Sequence, residues 1–159
     1  MDIEAYKEIL HRVYELAVLE GRKARESEPQ SSRVGDIDLE KYREDRAKSE
    51  LLKYLNTLDY DTVKVIMAVM YIGRDFEMTQ EEYKDLVRKY EDEEDYDTDL
   101  EELSYPKIPI ANASDTIKKY IDTISFGINQ SHDIDQIYSK RLMLDRYLYR
   151  AFKILGISV

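Results

Sequence analysis

Apolar residues in this chain recur every three or four positions and almost nowhere every two, which commits it to buried helix faces rather than a sheet. The pattern is clearest near the C-terminus. There Ile134, Ile137, Tyr138, Leu142, Leu148, Tyr149, Phe152 and Leu155 hold one helical period. Asp133 is placed to cap that helix, with Gln136 at the reciprocal third position, and Gly156 to stop it. The cations Lys140, Arg141, Arg146, Arg150 and Lys153 lie late in it, where the helix dipole favours them. Five glycines and three prolines in 159 residues leave little punctuation, as long helices require. A short extended stretch at 107–111 is the one exception.

The same reading orders the rest of the chain. Ile3, Tyr6, Leu10, Val13 and Ala17 mark a first helix, which Asp2 can cap. Residues 26–36, with Pro29, Gly35 and three serines, form a loop. A second helix runs through 38–55, with Leu39, Tyr42, Leu52 and Leu55 on its apolar face. Asp59 caps a third, in which Val63, Ile66, Met67, Met70 and Tyr71 are flanked by Val65, Val69 and Ile72. Apolar on most faces, this is the expected central helix, with Gly73 as its stop. Thr79 and Glu82 form a capping box for a fourth helix carrying Tyr83, Leu86, Val87 and Tyr90. Thr98 and Glu101 repeat the box for a short turn that Pro106 and Pro109 end. Ser114 or Asn112 then caps a helix with Ile117, Tyr120, Ile121, Ile124 and Ile128. The expectation is an all-α, single-domain bundle of about six helices over residues 1–159.

The residues Glu50-Leu-Leu-Lys-Tyr-Leu-Asn-Thr-Leu-Asp59, the run from Val63 to Gly73-Arg74-Asp75-Phe76, and Glu81-Glu-Tyr-Lys-Asp85 carry a resemblance. They are similar to a family of small bacterial proteins of unknown function. Its pattern is an L-N-x-D-E turn, an apolar helix ending in M-W-x-G-R-G-D-F, and E-E-W opening the next helix. The resemblance covers about residues 1–125. Tyr71 and Tyr83 stand where that family has tryptophan, one glycine after Arg74 is missing, and residues 133–155 have no counterpart. The resemblance implies a helical fold and a bacterial or phage source. It implies no activity.

Charge is segregated. Residues 77–102 hold thirteen acids and three bases, and so carry the whole chain's net charge of −10; the remainder has twenty-one of each. Such a block repels nucleic acid and anionic membranes and attracts basic surfaces or divalent cations. Its densest part, 91–102, holds Glu91, Asp92, Glu93, Glu94, Asp95, Asp97, Asp99, Glu101 and Glu102. Tyr96 and Tyr105 interrupt or flank it without a helical period to place them in a core, and they are the candidate anchors for a partner. The run from Asp95 resembles the start of an EF-hand loop. It fails at position six, Leu100 instead of glycine, and at position twelve, Pro106 instead of glutamate.

No catalytic residue, cofactor site or metal site is expected. There is no cysteine, and the two histidines, His11 and His132, lack a zinc-binding context. No phosphate-binding glycine loop or nucleophile elbow occurs. Gly73-Arg74-Asp75 reads as a helix end with a paired arginine, and the basic group Arg22, Lys23, Arg25 and Arg33 as a solvated helix end. The absence of cysteine, the charged N-terminus and the absence of any apolar run near 20 residues fit a cytoplasmic protein without membrane partners.

The functional expectation is a non-enzymatic protein-binding protein. Its acidic segment would replace phosphates in the basic groove of a nucleic-acid-processing enzyme and inhibit it, without itself touching nucleic acid. Small acidic inhibitors of bacterial defence, anti-CRISPR proteins among them, are similar at the level of class, which makes a Cas nuclease one such partner. The alternative is a bacterial interaction or regulatory domain whose acidic run is only a solvated loop.

Overall fold

The computed structural model describes residues 2–27, 39–76, 113–127 and 129–158, together with Asp85 and Arg88. Among them, a 3₁₀ turn at Ile3–Ala5 precedes α1 (Lys7–Ser27), α2 (Leu39–Lys48), α3 (Glu50–Leu55) and α4 (Tyr60–Asp75). After the acidic segment come α5 (Ala113–Thr123), α6 (Gln130–Ser139) and α7 (Leu144–Leu155). No described residue lies in a strand, so the all-α expectation holds.

α4 is the expected central helix. Val63, Val65, Ile66, Met67, Ala68, Val69, Met70 and Ile72 are all buried. It packs against α5, α6 and, most extensively, α7. Each fully buried Val, Ile or Met contributes roughly 1.5–3 kcal/mol. The Asp59 cap, which accepts the Thr62 N–H at 2.8 Å, contributes about 1 kcal/mol. Packing therefore fixes this helix more than its start signal does. α1 closes a second side through Leu10, Val13, Leu16 and Ala17, laid on α3 and α7.

Gly73 is not the helix stop. α4 continues through Asp75, and the Phe76 N–H still bonds the Ile72 carbonyl. A Cβ at Gly73 would lie 1.7 Å from the Tyr147 carbonyl oxygen, so the glycine lets the backbones of α4 and α7 touch. Arg150 of α7 donates to the Gly73 carbonyl at 3.1 Å across the same contact. Gly156 does stop α7, in the left-handed region at φ 70°. The Ile157 N–H reaches the Phe152 carbonyl at 2.8 Å and the Gly156 N–H reaches Lys153 at 3.4 Å, the Schellman pattern.

Two helices expected to be continuous are broken. Residues 38–55 divide at Ser49, whose hydroxyl accepts the Leu52 N–H and donates to Glu20 of α1, both at 3.1 Å. Residues 133–155 divide at a turn over 140–143, so Lys140 and Arg141 lie in a turn and not late in a helix. Unbroken, that stretch would run about 35 Å in one direction. The turn instead lets α6 pack on α3 and α4 while α7 packs on α1 and α4.

Three caps also differ. Asn129, not Asp133, caps α6 by accepting the His132 N–H at 2.9 Å. Asp133 is buried, its carboxylate accepting hydrogen bonds from the Tyr60 hydroxyl and from the Gly127 N–H, the latter at 2.8 Å. Ser114 lies inside α5, where its hydroxyl accepts the Ile3 N–H at 3.1 Å. Asp2 caps the 3₁₀ turn rather than α1, which reaches Ser27 and takes in the first two positions of the expected loop. Most of that loop, the capping boxes at Thr79 and Thr98, the stretch 107–111, Asn112 and Ile128 lie outside the described residues.

Candidate functional site

The acidic segment follows α4 and precedes α5 in the chain. The last turn of α4 is held by its own side chains. Arg74 Nε donates to Asp75 Oδ1 at 2.8 Å, and its guanidinium lies 4.3 Å from the centre of the Tyr71 ring. Phe76, buried, meets the Tyr120 ring of α5 edge-on at 6.2 Å. The Tyr120 hydroxyl donates to Asp75 Oδ2 at 3.3 Å. Burial, with the Asp75 charge beside it, raises the Tyr120 pKa far above the ordinary tyrosine value. Tyr120 is seven residues into α5, about 10 Å along its axis from Ala113. Residues on either side of the segment, Asp75 and Phe76 before it and Tyr120 after it, meet in one contact.

Glu91, Asp92, Glu93, Glu94, Asp95, Tyr96, Asp97, Asp99, Glu101, Glu102 and Tyr105 all lie outside the described residues. Within the acidic block, Asp85 and Arg88 pair at 3.6 Å with both side chains exposed. Arg74 keeps its expected carboxylate partner. Arg25 is not a solvated helix end. It donates to the Leu142 carbonyl at 3.1 Å and pairs with Asp145 at 3.4 Å, joining α1 to α7. His11 bonds the Ser158 carbonyl and packs edge-on against Phe152, while His132 is exposed in the first turn of α6. Among the described residues, no three His, Asp or Glu side chains are grouped to hold a metal ion. No helix among them is long and apolar enough to cross a membrane.

A second charged feature escaped the sequence reading. Tyr42 of α2 and Tyr138 of α6 face each other with ring centres 6.1 Å apart. Two guanidinium groups lie against them. Arg46 is 5.8 and 5.1 Å from the two ring centres, and Arg141 is 5.4 and 4.8 Å away. Arg46 is neutralised by Asp135 at 2.6 Å, the main reason its pKa is raised. The signal was present: an arginine four residues after Tyr42 and three after Tyr138 can return over its own ring.

Tyr138 is one of the periodic apolar positions, but it carries a hydroxyl. It is fully buried, and its hydroxyl has no hydrogen-bond partner among the described residues. Burial pushes its pKa up to about 12, Arg141 pulls it down, and Glu20, Tyr42 and Asp45 push it up. The folded value lies above the ordinary value of 10, so this group's contribution to stability is complete below pH 10 and is lost as pH rises toward 12. Tyr138→Phe removes that loss together with an unpaired hydroxyl. At neutral pH the variant should match the wild type or exceed it by up to about 1 kcal/mol in urea unfolding. Its margin should widen between pH 10 and 12. A variant margin that narrows there would contradict the burial of this hydroxyl.

Comparison with protein-family models, with curated proteins and with solved structures finds no match for this chain.

Proposed function

We propose that the protein acts by binding another protein, presenting its acidic segment to the basic groove of a nucleic-acid-processing enzyme and inhibiting it. One observation carries this reading: the net charge of −10 resides in residues 77–102, on a chain otherwise balanced in charge. Nine carboxylates in the twelve residues 91–102 offer a charge density that a phosphate-binding groove recognises. The contact of Asp75 and Phe76 with Tyr120 supports the reading because the segment is joined on both sides to one packed helical body. Tyr96 and Tyr105 supply the aromatic contact area that charge alone lacks.

Retention on an immobilised panel of Cas nucleases, at low and high salt, tests the proposal. Electrostatic docking predicts capture at low salt and release near 1 M, where the screening length falls to about 3 Å from about 10 Å at 0.1 M. Replacing the carboxylates of residues 91–102 with lysine should abolish both capture and inhibition. A charge-reversed variant that inhibits as well as the wild type would end the proposal. The acidic run would then be a solvated loop on an interaction domain.

A further inference from the structure

A cavity of about 330 Å³ opens between α1, α2 and the turn joining α6 to α7. Glu20, Lys23, Asp45, Lys48, Ser49 and Arg141 line it. Its volume is at the lower end of the range for small-molecule sites, about 300–1,000 Å³. Its walls are fixed by close approach: a Cβ at Gly21 of α1 would lie 3.2 Å from the Arg141 carbonyl oxygen.

The charges around this cavity are unusual in being of both signs yet unpaired. Nearby, Arg25 and Arg46 have carboxylate partners. Glu20, Asp45, Lys23, Lys48 and Arg141 have none within 4.0 Å among the described residues. Glu20 is only 8% exposed, and its single hydrogen bond among the described residues is the Ser49 hydroxyl at 3.1 Å. A buried carboxylate can accept about four hydrogen bonds, so most of its capacity is open. Arg141 is held against the Tyr42 and Tyr138 rings, which orders its planar fork while leaving its N–H edge for a ligand. The unpartnered Tyr138 hydroxyl lies behind the same wall, within electrostatic reach of Glu20, Asp45 and Arg141.

We propose that this cavity binds a small zwitterion of the α-amino-acid class. Its carboxylate would take the fork of Arg141 with Lys48, and its ammonium group would take Glu20 with Asp45. The charge balance selects this class. A phosphate dianion would face the two carboxylates of the wall, and a simple cation would face the three bases. Only a ligand carrying both charges meets both sets and gives the buried Glu20 a cationic partner.

The full chain, ¹⁵N-labelled, is titrated with individual free amino acids and separately with acetate, methylammonium and inorganic phosphate. At least one amino acid should shift the amide signals of Ser49 and Arg141, with an affinity at least about tenfold above acetate or methylammonium. Glu20→Gln and Arg141→Gln should each weaken that amino acid about tenfold or more. Lys48→Gln, at an exposed position, provides a variant whose folding is not at stake. Three outcomes overturn the proposal: no amino acid moves these signals, binding is unchanged in all three variants, or phosphate binds more tightly than every amino acid tested.

Discussion

Gly73→Ala should be the most damaging single-methyl change in this protein, lowering stability by on the order of 3 kcal/mol. The added carbon would meet backbone, not a side chain that can swing away. It would lie 1.7 Å from the Tyr147 oxygen, 2.5 Å from its carbonyl carbon and 3.0 Å from its Cα. Relief requires α4 and α7 to separate along the most extensive helix pairing among the described residues. It would also stretch the Arg150 bond to the Gly73 carbonyl. A loss of this size is a large part of the ~5–15 kcal/mol that holds an ordinary domain folded. Gly156→Ala is the informative contrast. Nothing lies within 4 Å of its Cβ position, so the cost is only the left-handed backbone at φ 70°, about 1 kcal/mol. Urea unfolding of the two variants should rank them in that order. Without the Tyr147 backbone against it, Gly73 would be an ordinary glycine inside a helix, alanine there would stabilise by about 1 kcal/mol, and the ranking would invert.

That contrast also marks how far the sequence could be read. Both glycines sit near a helix end with a cation nearby, and the local pattern treats them alike. Only the position of Tyr147, more than seventy residues away, separates them. The helical period of Val63, Ile66, Met67 and Met70 was legible because burial on nearly all sides leaves its mark within one segment. The breaks at Ser49 and at residues 140–143 carry neither glycine nor proline, and the apolar period runs on through the second. They exist because Glu20 reaches Ser49 from another helix and because α6 and α7 must meet different neighbours. Asp133 illustrates the same limit. As a residue type it reads as a cap, yet its partners are Tyr60 and Gly127, brought by tertiary packing. The acidic segment is the reverse case. Its charge is plain in the sequence, and among the described residues the structure adds only the contact of Asp75 and Phe76 with Tyr120 on either side of it. The mixed-charge cavity was not legible at all, since its lining comes from three separate parts of the chain.

Phe152→Ala should cost about 3–5 kcal/mol, enough to leave a marginal domain largely unfolded. Residues 133–155 divide into α6 and α7, and what they do for the fold is a real question. They could add an association surface to a body complete without them, or they could be part of its core. The packing favours the core. Leu148, Ala151 and Phe152 are each 0% exposed, and α7 lies against both α1 and α4. The Phe152 ring is met edge-on by Tyr14 at 5.7 Å and by His11 at 5.9 Å, and its carbonyl accepts the Ile157 N–H that closes the helix. Truncating it removes apolar area and leaves a void that neither neighbour is shaped to fill. Tyr149, one turn earlier, is 48% exposed, and its ring centre lies 6.4 Å from that of Tyr14. Tyr149→Ala should change stability by no more than about 0.5–1 kcal/mol. Urea midpoints and sedimentation coefficients of the two variants separate the alternatives. A core helix loses its midpoint at Phe152 and keeps it at Tyr149. A helix added for association would instead keep its midpoint in both variants and show the change in sedimentation.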